Sequence, residues 1–289
     1  MMTDGFAGQA CNDRRVVTGN CSPVTDNCSL VTDKVLYFDK PLHWTSFDLV
    51  NKLRYKLSRQ LNIKKLKVGH AGTLDPLATG VMVVCVGKAT KRIDEFQYLT
   101  KEYIATLQLG ATTPSFDLET EVDKTYETAH ITRELVEKTL PAFLGEIQQI
   151  PPAYSACKVN GNRAYDLARK GLEVDLKPKV LVIDEIELLE FHQGLAGQAR
   201  NDSTINQGIP ACAGMTIRVV CSKGTYIRAL ARDIGLALGS GAFLTGLVRT
   251  RIGDVTLEKC LKVEDIDTIN IGDCGSPELD SGPPMTKKL

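Results

Sequence analysis

The sequence predicts an α+β fold: one large domain with extensions. The chain has 289 residues, of which 43% are hydrophobic and 24% charged, as is ordinary for a globular protein. Segments with the alternation of strands and segments with the spacing of helices are both present. They follow one another without a strict strand–helix–strand repeat, and this irregular order favours α+β over α/β.

The first elements of the predicted core are a strand and a capped helix. The segment VLYFDKP, residues 35–41, is typical of a strand that its proline ends. The segment TSFDLVNKLRYKL, residues 45–57, predicts a helix because Thr45 and Asp48 have the spacing of a capping box. Leucines that recur every four residues give this helix one apolar face.

Two strands and two helices are expected next. VMVVCVG, residues 81–87, is short and fully apolar, which indicates a buried strand, whereas EYIATLQLG, residues 102–110, alternates as a half-buried strand does. Residues 132–144 are predicted to be helical. NRAYDLARKG, residues 162–171, predicts a short helix closed by its final glycine.

The last predicted elements are two strands and a helix. KVLVIDEIELLEF, residues 179–191, and MTIRVVCSKG, residues 215–224, predict strands that flank a polar stretch. TYIRALARDIGLALG, residues 225–239, predicts an amphipathic helix that ends at a glycine. The core domain is therefore expected to cover residues 34–268.

Three polar stretches interrupt or flank this core pattern: residues 1–33, about 193–215 and 269–289. They lack the apolar periodicity of a packed core. GLAGQARND in the second stretch closely resembles GFAGQACND in the first, which indicates a copied element and not two functional sites. We expect a disordered or foreign N-terminal extension, an inserted loop between two strands, and a polar C-terminal tail.

Composition argues against several classes of protein. No stretch approaches 18 consecutive apolar residues, and the N-terminus lacks a basic start followed by an apolar run. We therefore expect neither a membrane span nor a secretory signal, and the cytoplasm is the default location. Nine cysteines form no CxxC pair and four histidines form no HxxxH pair, so we expect no metal site and no disulfide framework.

A basic run covers residues 51–68, NKLRYKLSRQLNIKKLKV, in which seven residues are Lys or Arg and none is acidic. The net charge of the whole chain is zero, so this run is a local feature. We expect the run to lie on a helix, and two interpretations of its charge are open: a solvated face, or a patch that binds phosphates.

A single carboxylate stands within HAGTLDPLATG, residues 70–80. In one interpretation Asp75 and Pro76 start a helix, with Asp as the N-cap and Pro at the first helical position. In the other, Asp75 is a catalytic group on a glycine-rich loop, either a nucleophile or the partner of a developing cation. The second interpretation needs an arginine that keeps the carboxylate ionised and oriented.

Three further candidate groups each have an ordinary alternative. Arg228, in CSKGTYIRAL, is placed on the first turn of a helix and offers the arginine that Asp75 needs, although an arginine at such a position is more often a surface charge. Tyr103 is either a cross-strand aromatic or a group that stacks on a base and exchanges a proton. His70 is either a turn residue or a ring that stacks on a nucleobase.

Five segments that follow one another in order give these candidates a common context. They are FDKPLHWTS, VGHAGTLDPLATGVMVVCVGKATK, KEYIATLQLGATTPSFDLET, IQQIPPAYSACKVNGNRAYDLARKG and VVCSKGTYIRALARDIGLALG. Together they closely resemble the TruB-type tRNA pseudouridine synthases over residues 35–266, interrupted by the second polar stretch. The resemblance implies a pseudouridine synthase-like mixed, largely antiparallel sheet flanked by helices, without a complete C-terminal PUA domain.

The resemblance also implies roles for individual residues. Asp75 is the expected catalytic residue, Arg228 pairs with it, and Tyr103 packs on the target base and takes part in proton removal. The remaining expected substrate contacts lie in the glycine-rich block, on lysines, and on a leucine that lines the site: His70, Gly72, Thr73, Leu74, Lys40, Lys91, Leu247, Lys64 and Lys67. His70 is further associated with flipping the bases of the RNA loop.

The implied reaction converts the uridine at position 55, in the T loop of tRNA, to pseudouridine. The C1′–N1 bond breaks, the uracil rotates and a C1′–C5 bond forms, so neither a redox cofactor nor a metal is required. Attack of the aspartate on C1′, attack on C6 and removal of a sugar proton all remain open. We expect the T-arm stem-loop of tRNA as the partner, no membrane, and a monomer.

Two other functions and one local departure complete the expectations. A tRNA-binding chaperone with secondary or lost catalysis would carry the same motifs. A glycoside hydrolase would need two acids about 5–10 Å apart, and Asp75 has no obvious second acid in the core motifs. Family members often carry DKPxGxTS, but here His43 and Trp44 leave no glycine, so we expect a locally different turn.

Overall fold

The structure, a computed structural model, describes five ranges of the chain. They are residues 33–155, 157–159, 161–172, 175–193 and 213–269. The predicted N-terminal extension, most of the predicted inserted loop and nearly all of the predicted C-terminal tail lie outside the described residues.

Strands and short helices follow one another irregularly along the described chain. The strands are β1 (Val35–Lys40), β2 (Val68–His70), β3 (Ala78–Val86), β4 (Lys101–Leu109), β5 (Ala111–Thr112), β6 (Lys124–Thr125), β7 (Gly145–Gln149), β8 (Lys158–Val159), β9 (Asn162–Arg163), β10 (Lys179–His192), β11 (Gly214–Cys221), β12 (Ala242–Ile252) and β13 (Val255–Thr256). The helices are α1 (Ser46–Gln60), α2 (Ile93–Tyr98), α3 (Arg133–Thr139), α4 (Ala164–Ala168) and α5 (Ile227–Ala237). Short 3-10 segments cover Gly87–Arg92, Leu140–Phe143, Leu257–Lys259 and Glu264–Asp267. This order is that of an α+β fold, as predicted.

Within the described ranges, nine of the strands form one mixed sheet. Its main order is β1-β3-β12-β4-β11-β10-β7, with β2 paired to β3 and β13 paired to β12. Neighbouring strands run antiparallel except β3 and β12, which run parallel. The predicted mixed, largely antiparallel sheet is therefore confirmed.

The five predicted strands are confirmed as β1, β3, β4, β10 and β11, but the inserted loop ends earlier than predicted. Ala213 is buried in the core, and Met215 already belongs to β11. The apolar side chains at these positions are the reason, because they pack under the sheet. Gly214 pairs with His192, so β10 and β11 form a hairpin that receives the intervening residues at one end.

Helix α1 has the predicted cap and the predicted apolar face. The Thr45 amide donates to the Asp48 carboxylate at 2.9 Å, and the Asp48 amide donates to the Thr45 hydroxyl at 3.1 Å. Leu49, Leu53 and Leu57 are fully buried and pack against β1 and β3. Capping and burial together place the start of this helix beside the end of β1.

The basic run is not one continuous helix, which corrects the prediction. Helix α1 ends at Gln60, and Asn62 has φ of 53°, a left-handed conformation that asparagine tolerates and that stops a helix. Lys64 and Lys67 therefore lie exposed in the loop before β2.

Two other helices are shorter than predicted. In the segment 132–144, α3 ends at Thr139 and a 3-10 segment containing Pro141 follows, because proline has no amide hydrogen to continue the helix. In the segment 162–171, α4 has five residues. None of the described helices is long and apolar enough to cross a membrane.

The largest hydrophobic cluster lies where α3 and α5 pack on one face of the sheet. Leu74, Tyr103 and Ile227 belong to this cluster. Leu74 and Tyr103 are predicted site residues, and Ile227 directly precedes Arg228. The core therefore anchors, at one place, segments that are far apart in the sequence.

Candidate active site

Asp75 lies in a turn that leads directly into β3. The Ala78 amide donates to the Asp75 carbonyl at 3.0 Å, and β3 begins at Ala78. The interpretation of Asp75 as a helix N-cap is therefore wrong. Pro76 instead occupies the second position of the turn, where its restricted φ is favourable.

The start of α1 holds this turn in place. The Ser46 hydroxyl donates to the Leu74 carbonyl at 3.0 Å and accepts from the Leu74 amide at 2.8 Å. The His43 amide donates to the Pro76 carbonyl at 2.8 Å. Both neighbours of Asp75 are thus fixed through their backbone atoms, which restricts where its carboxylate can point.

The departure from DKPxGxTS falls on His43, in the turn that follows β1. His43 has φ of 65°, in the left-handed region that glycine adopts without strain. Histidine is among the residues that tolerate this region. His43 therefore has a backbone conformation that is typical of glycine, although it carries a side chain.

Arg228, on the first turn of α5, meets Asp75. Its Nε lies 3.0 Å from Asp75 Oδ2. The Arg228 side chain is 6% exposed and the Asp75 side chain 40% exposed. The Nη atoms of Arg228 donate to the carbonyls of Ser115 at 3.2 Å and Tyr154 at 2.8 Å. The fold therefore assembles the predicted pair, with the guanidinium buried behind a carboxylate that solvent reaches.

A second carboxylate, Asp117, also binds Arg228, and the sequence interpretation missed it. Asp117 Oδ2 lies 3.3 Å from Arg228 Nη1, and the Asp117 side chain is 7% exposed. Asp117 Oδ1 accepts from the Ser115 hydroxyl at 2.6 Å and the Glu119 amide at 2.9 Å. The available signal was an acid among hydroxyl residues in PSFDLET, inside one of the five matching segments. This buried carboxylate balances the charge of the buried guanidinium.

The pKa of Asp75 is raised above its ordinary value. The main cause is loss of hydration, because protein surrounds most of the carboxyl group although part of the side chain reaches solvent, and Arg228 opposes this shift. The negative charges of Asp117 and Glu119 raise the pKa further, whereas Lys40 lowers it. The pKa of Asp75 therefore lies closer to neutral pH than the pKa of an exposed aspartate does.

Strands β4 and β12 bring two more predicted residues to this cluster. Tyr103 is buried on β4, with Arg249 of β12 as a cross-strand neighbour. Burial raises the pKa of Tyr103, while Arg249 lowers it. Leu247 on β12 pairs with Ala78, the residue that closes the Asp75 turn, and packs on the same core cluster. Tyr103 and Leu247 therefore stand beside the strand that Asp75 precedes.

Lys40, the last residue of β1, is fully buried. Its Nζ donates to the carbonyls of Pro41 at 2.9 Å and Trp44 at 2.6 Å. Burial lowers the pKa of Lys40 to about 8, and Asp75 opposes this shift. Lys40 thus stabilises the loop that supports the Asp75 turn and contributes positive charge close to it.

The segment from His70 to Leu74 connects β2 to Asp75. Burial lowers the pKa of His70 below 6.5, so its ring is neutral at pH 7. Gly72 has φ of 107°, which residues with a side chain rarely adopt. Thr73 is exposed, whereas Leu74 is buried in the core. The segment therefore offers backbone atoms and one hydroxyl to a substrate next to the carboxylate.

The structure does not bring the other predicted lysines to this cluster. Lys91 lies in the 3-10 segment after the carboxyl end of β3, whereas Asp75 precedes its amino end. Because β3 has nine residues, these ends are roughly 26 Å apart at about 3.3 Å per residue. The expectation that Lys91 is near the site is therefore wrong. Lys64 and Lys67 also lie beyond that far end of β3, since β2 pairs with its last residues.

Comparison with known proteins identifies the family. A profile described as TruB family pseudouridylate synthase, N-terminal domain, matches residues 58–227. A tRNA pseudouridine synthase B of Parabacteroides distasonis is 69% identical over 234 residues, which cover 81% of this chain and 92% of that protein. The chain belongs to the TruB family of pseudouridylate synthases. A tRNA pseudouridine synthase B of Bacteroides fragilis is 70% identical, covering 79% of this chain and 90% of its own.

Solved structures agree with the TruB-family fold. A chain in the crystal structure of a Cbf5-Nop10-Gar1 complex aligns with a TM-score of 0.55 and 28% identity, over 83% of this chain and 55% of that one. A chain of an H/ACA RNP bound to a substrate RNA containing 2′-deoxyuridine aligns with a TM-score of 0.54 and 26% identity, over 83% and 54%. This chain therefore spans about half the length of those chains. The predicted pseudouridine synthase-like fold is confirmed.

A TruB-family protein is an isomerase that acts on uridine in RNA. The cluster suits that chemistry, because one solvent-accessible carboxylate is held by a buried guanidinium whose charge a second acid balances. Such a carboxylate is oriented and remains nucleophilic while ionised. Within the described ranges, no three His, Cys, Asp or Glu side chains come together as a metal site would require.

We expect TruB-family activity here to fall on acidification at a higher pH than an exposed aspartate would require. For a reaction that uses Asp75 as the anion, activity is present above the pKa of Asp75 and is lost as the pH falls through that raised pKa. Glu119→Gln removes a charge that raises the pKa of Asp75, so its acid limb should move to lower pH. The measurement is kcat/KM for pseudouridine formation between about pH 4 and 8.

The control for this titration is Glu137→Gln. Glu137 pairs with Arg133 on the exposed face of α3, so removing its charge should leave the acid limb in place. Identical acid limbs in wild type and Glu119→Gln would contradict the assignment of that limb to Asp75.

Proposed function

We propose that this protein is a tRNA pseudouridine(55) synthase, which converts the T-loop uridine of tRNA to pseudouridine. The support from relatives is that proteins named tRNA pseudouridine synthase B share 69–70% identity with most of the chain. The support from geometry is the contact of 3.0 Å between Asp75 and Arg228, and this observation carries the proposal. We further propose that the protein acts as a monomer in the cytoplasm.

Asp75 is the proposed catalytic residue because it is the accessible carboxylate of the cluster. Asp117 is buried and already bonded to Arg228, Ser115 and the Glu119 amide. Asp75 attacks C1′ or C6 of the uridine, or removes a sugar proton to release the base. On each route Arg228 Nε orients the reacting carboxylate from 3.0 Å away, and bond formation at C5 leaves a proton there that must depart.

The target uridine must leave its stack before it reaches Asp75. Extrusion costs a few kcal/mol, and stacking on an aromatic side chain returns about 1–3 kcal/mol per base. We assign the contact with the uracil, and a part in removing the C5 proton, to Tyr103. We assign to the neutral ring of His70 a stacking contact with a base of the RNA loop, in place of base–base stacking that is lost on extrusion. Leu247 forms an apolar wall of the same pocket.

The direct test incubates the full-length protein with an unmodified T-arm stem-loop, in buffer containing EDTA, and maps pseudouridine in the product. We expect conversion at the single T-loop position that corresponds to uridine 55. A stem-loop with cytidine at that position is the matched control and should remain unmodified. No conversion, or conversion at a different uridine, would end the proposal.

Replacing Lys64, Lys65 and Lys67 by Glu should weaken tRNA binding and reduce its dependence on salt. All three side chains are exposed in the loop before β2, at the end of the basic run. Each phosphate contact that is lost reduces the slope of log K against log salt by roughly 0.7–0.9. The measurement is the Kd for tRNA across a series of salt concentrations.

The matched control for the lysine loop reverses three exposed lysines elsewhere on the surface: Lys124, Lys138 and Lys177. It changes the net charge equally, so it should reproduce only the general effect of charge. Equal Kd values and slopes for the two triple variants would show that the basic run is a solvated surface and not a phosphate-binding patch. Lys52 and Lys56 of the run are unsuitable for this test, because they bind Val263 and Asp267 of the protein itself.

A glycoside hydrolase function has no support from the geometry. It needs a second acid that faces the substrate. Asp117 is the candidate for this second acid, because Asp117 and Asp75 both bind Arg228. Its oxygens are occupied by Arg228, Ser115 and Glu119, so it cannot act on a sugar.

A further inference from the structure

Arg249, on β12, is a buried arginine that the sequence interpretation left without a role. It is 2% exposed. A guanidinium loses its hydration on burial, so buried arginines are uncommon and usually have specific partners. Arg249 Nε donates to the Val81 carbonyl at 2.7 Å, and Nη2 donates to the Gly72 carbonyl at 3.4 Å. Its donors thus reach β3 and the segment that leads to Asp75.

The register of the sheet fixes the position of this guanidinium. Arg249 lies opposite Gly80 in the parallel pair of β12 and β3, and opposite Tyr103 in the antiparallel pair of β12 and β4. Cross-strand neighbours project from the same face of a sheet. At Gly80, an added Cβ would lie 2.2 Å from the Arg249 carbonyl oxygen. Because Gly80 has no side chain, β3 and β12 can approach each other closely. Arg249 then lies between Tyr103 and the segment from His70 to Leu74 that leads to Asp75.

The positive charge of Arg249 shifts the pKa of titratable groups on several surrounding elements. For Tyr103, burial raises the pKa, Cys221 and Asp75 raise it further, and a hydrogen bond and the charge of Arg249 lower it. The same charge lowers the pKa of five other groups: His70, Lys40, Lys101, Cys221 and Cys260. Together with the cross-strand pairing, these shifts place the positive charge of Arg249 beside the Tyr103 phenol.

We propose that Arg249 is a positioning residue, whose guanidinium holds the Tyr103 hydroxyl against the segment that carries Asp75. This inference rests on the proposed function, in which Tyr103 packs on the uracil and Asp75 reacts. Arg249 is too deeply buried to touch the substrate itself. Its effect is to keep the ring and the carboxylate at a constant separation, through one planar group that donates in several directions.

Arg249→Lys tests the proposal, because an ammonium keeps the charge but cannot donate in the same directions. We expect kcat for pseudouridine formation to fall about 10- to 100-fold, as small displacements of reacting groups do, with KM within about threefold of wild type. Arg251→Lys is the matched control: Arg251 lies on the same strand and binds Glu102 at 3.2 Å, so kcat should be unchanged. Wild-type kcat in Arg249→Lys would overturn the proposal.

A second readout needs no RNA and so separates this inference from the proposed function. The ionisation of Tyr103 is followed by ultraviolet absorption, as the difference between each protein and its Tyr103→Phe version. In Arg249→Gln, which removes the charge, Tyr103 should ionise at a higher pH than in wild type. An unchanged titration overturns the inference even if wild type modifies the stem-loop. Failure of wild type to modify the stem-loop would instead count against the proposed function alone.

If the Arg249 variants do not fold, wild-type protein with nitrogen-15-labelled arginine supplies the test. Tyr103→Phe removes the hydroxyl that Arg249 is proposed to hold, so the Nη resonances of Arg249 should shift, whereas Nε, which donates to the Val81 carbonyl, serves as an internal reference. Tyr98→Phe is the reference, because Tyr98 is largely exposed and contacts Lys223 instead. No shift on Tyr103→Phe would show that Arg249 does not hold that hydroxyl.

Discussion

Asp75→Asn is expected to abolish pseudouridine formation while tRNA binding remains. Asparagine preserves the size of the side chain but lacks the negative charge, so it can neither attack C1′ or C6 nor remove a proton. We expect the single-turnover rate on a T-arm stem-loop to fall about 10³-fold or more. The Kd for the same RNA should stay within about threefold, because phosphate contacts supply most of the affinity.

The same variant separates catalysis from a role as a tRNA chaperone. A protein that assists tRNA folding by binding alone would retain that activity in Asp75→Asn. Pseudouridine formation by Asp75→Asn at a rate close to wild type would show that another group carries the chemistry. Asp117→Asn would then be the next variant to test, since it is the other acid bound to Arg228.

Stability provides an independent check on Asp75. Because burial raises its pKa, the ionised carboxylate is less favourable in the folded protein than in the unfolded chain. This cost is present above the raised pKa and is lost as the pH falls through it. Asp75→Asn should therefore melt no lower than wild type at pH 7, and Arg228 keeps its contact with Asp117.

Arg228→Met is expected to have the second large effect, and this effect extends to folding. The substitution leaves Asp117 buried without its cation and removes donors from the Ser115 and Tyr154 carbonyls. Removing one partner of a buried ion pair costs about 3–5 kcal/mol. We expect a loss of that size in the free energy of unfolding, measured in urea, together with loss of activity because Asp75 is no longer oriented.

Two further variants make the interpretation of Arg228→Met specific. Arg232→Met changes an arginine one turn further along α5, whose partners are the adjacent Asp233, the Ile150 carbonyl and the Phe116 ring. It should cost less than Arg228→Met, because Asp233 is partly exposed and is not left as a fully buried unpaired charge. Adding Asp117→Asn to Arg228→Met should restore part of the lost stability, since the unpaired charge disappears. Equal stability losses for Arg228→Met and Arg232→Met would contradict the buried ion-pair network.

Asp75 and Arg228 were predicted as a pair because five segments in order resemble one family, whereas each motif by itself left an ordinary structural alternative open. The sequence was sufficient for α1, where the cap and the leucine spacing act locally. Asp117 was not found, because its function depends on a guanidinium more than a hundred residues away along the chain. Only the fold shows that a loop between β5 and β6 passes beside the first turn of α5.

Two other misses have the same physical origin. Lys91 was expected near the site because it matches a lysine of the family, but a complete strand separates it from Asp75 in space although the two are close in the sequence. The basic run was expected to be one helix because its charges continue past Gln60, whereas the left-handed Asn62 ends the helix by backbone geometry. Proximity along a sequence and continuity of charge therefore do not report distance or helix length.

The hairpin of β10 and β11 has a consequence for how this chain can change. Its open end, at His192 and Gly214, is separated by the whole of β11 from the turn that leads to Arg228. With eight residues in β11, these ends are roughly 25 Å apart. Residues can therefore be gained or lost at the hairpin tip without altering the geometry around the reacting carboxylate. Such a tip is a natural entry point for acquired sequence, and for an engineered tag or fused domain.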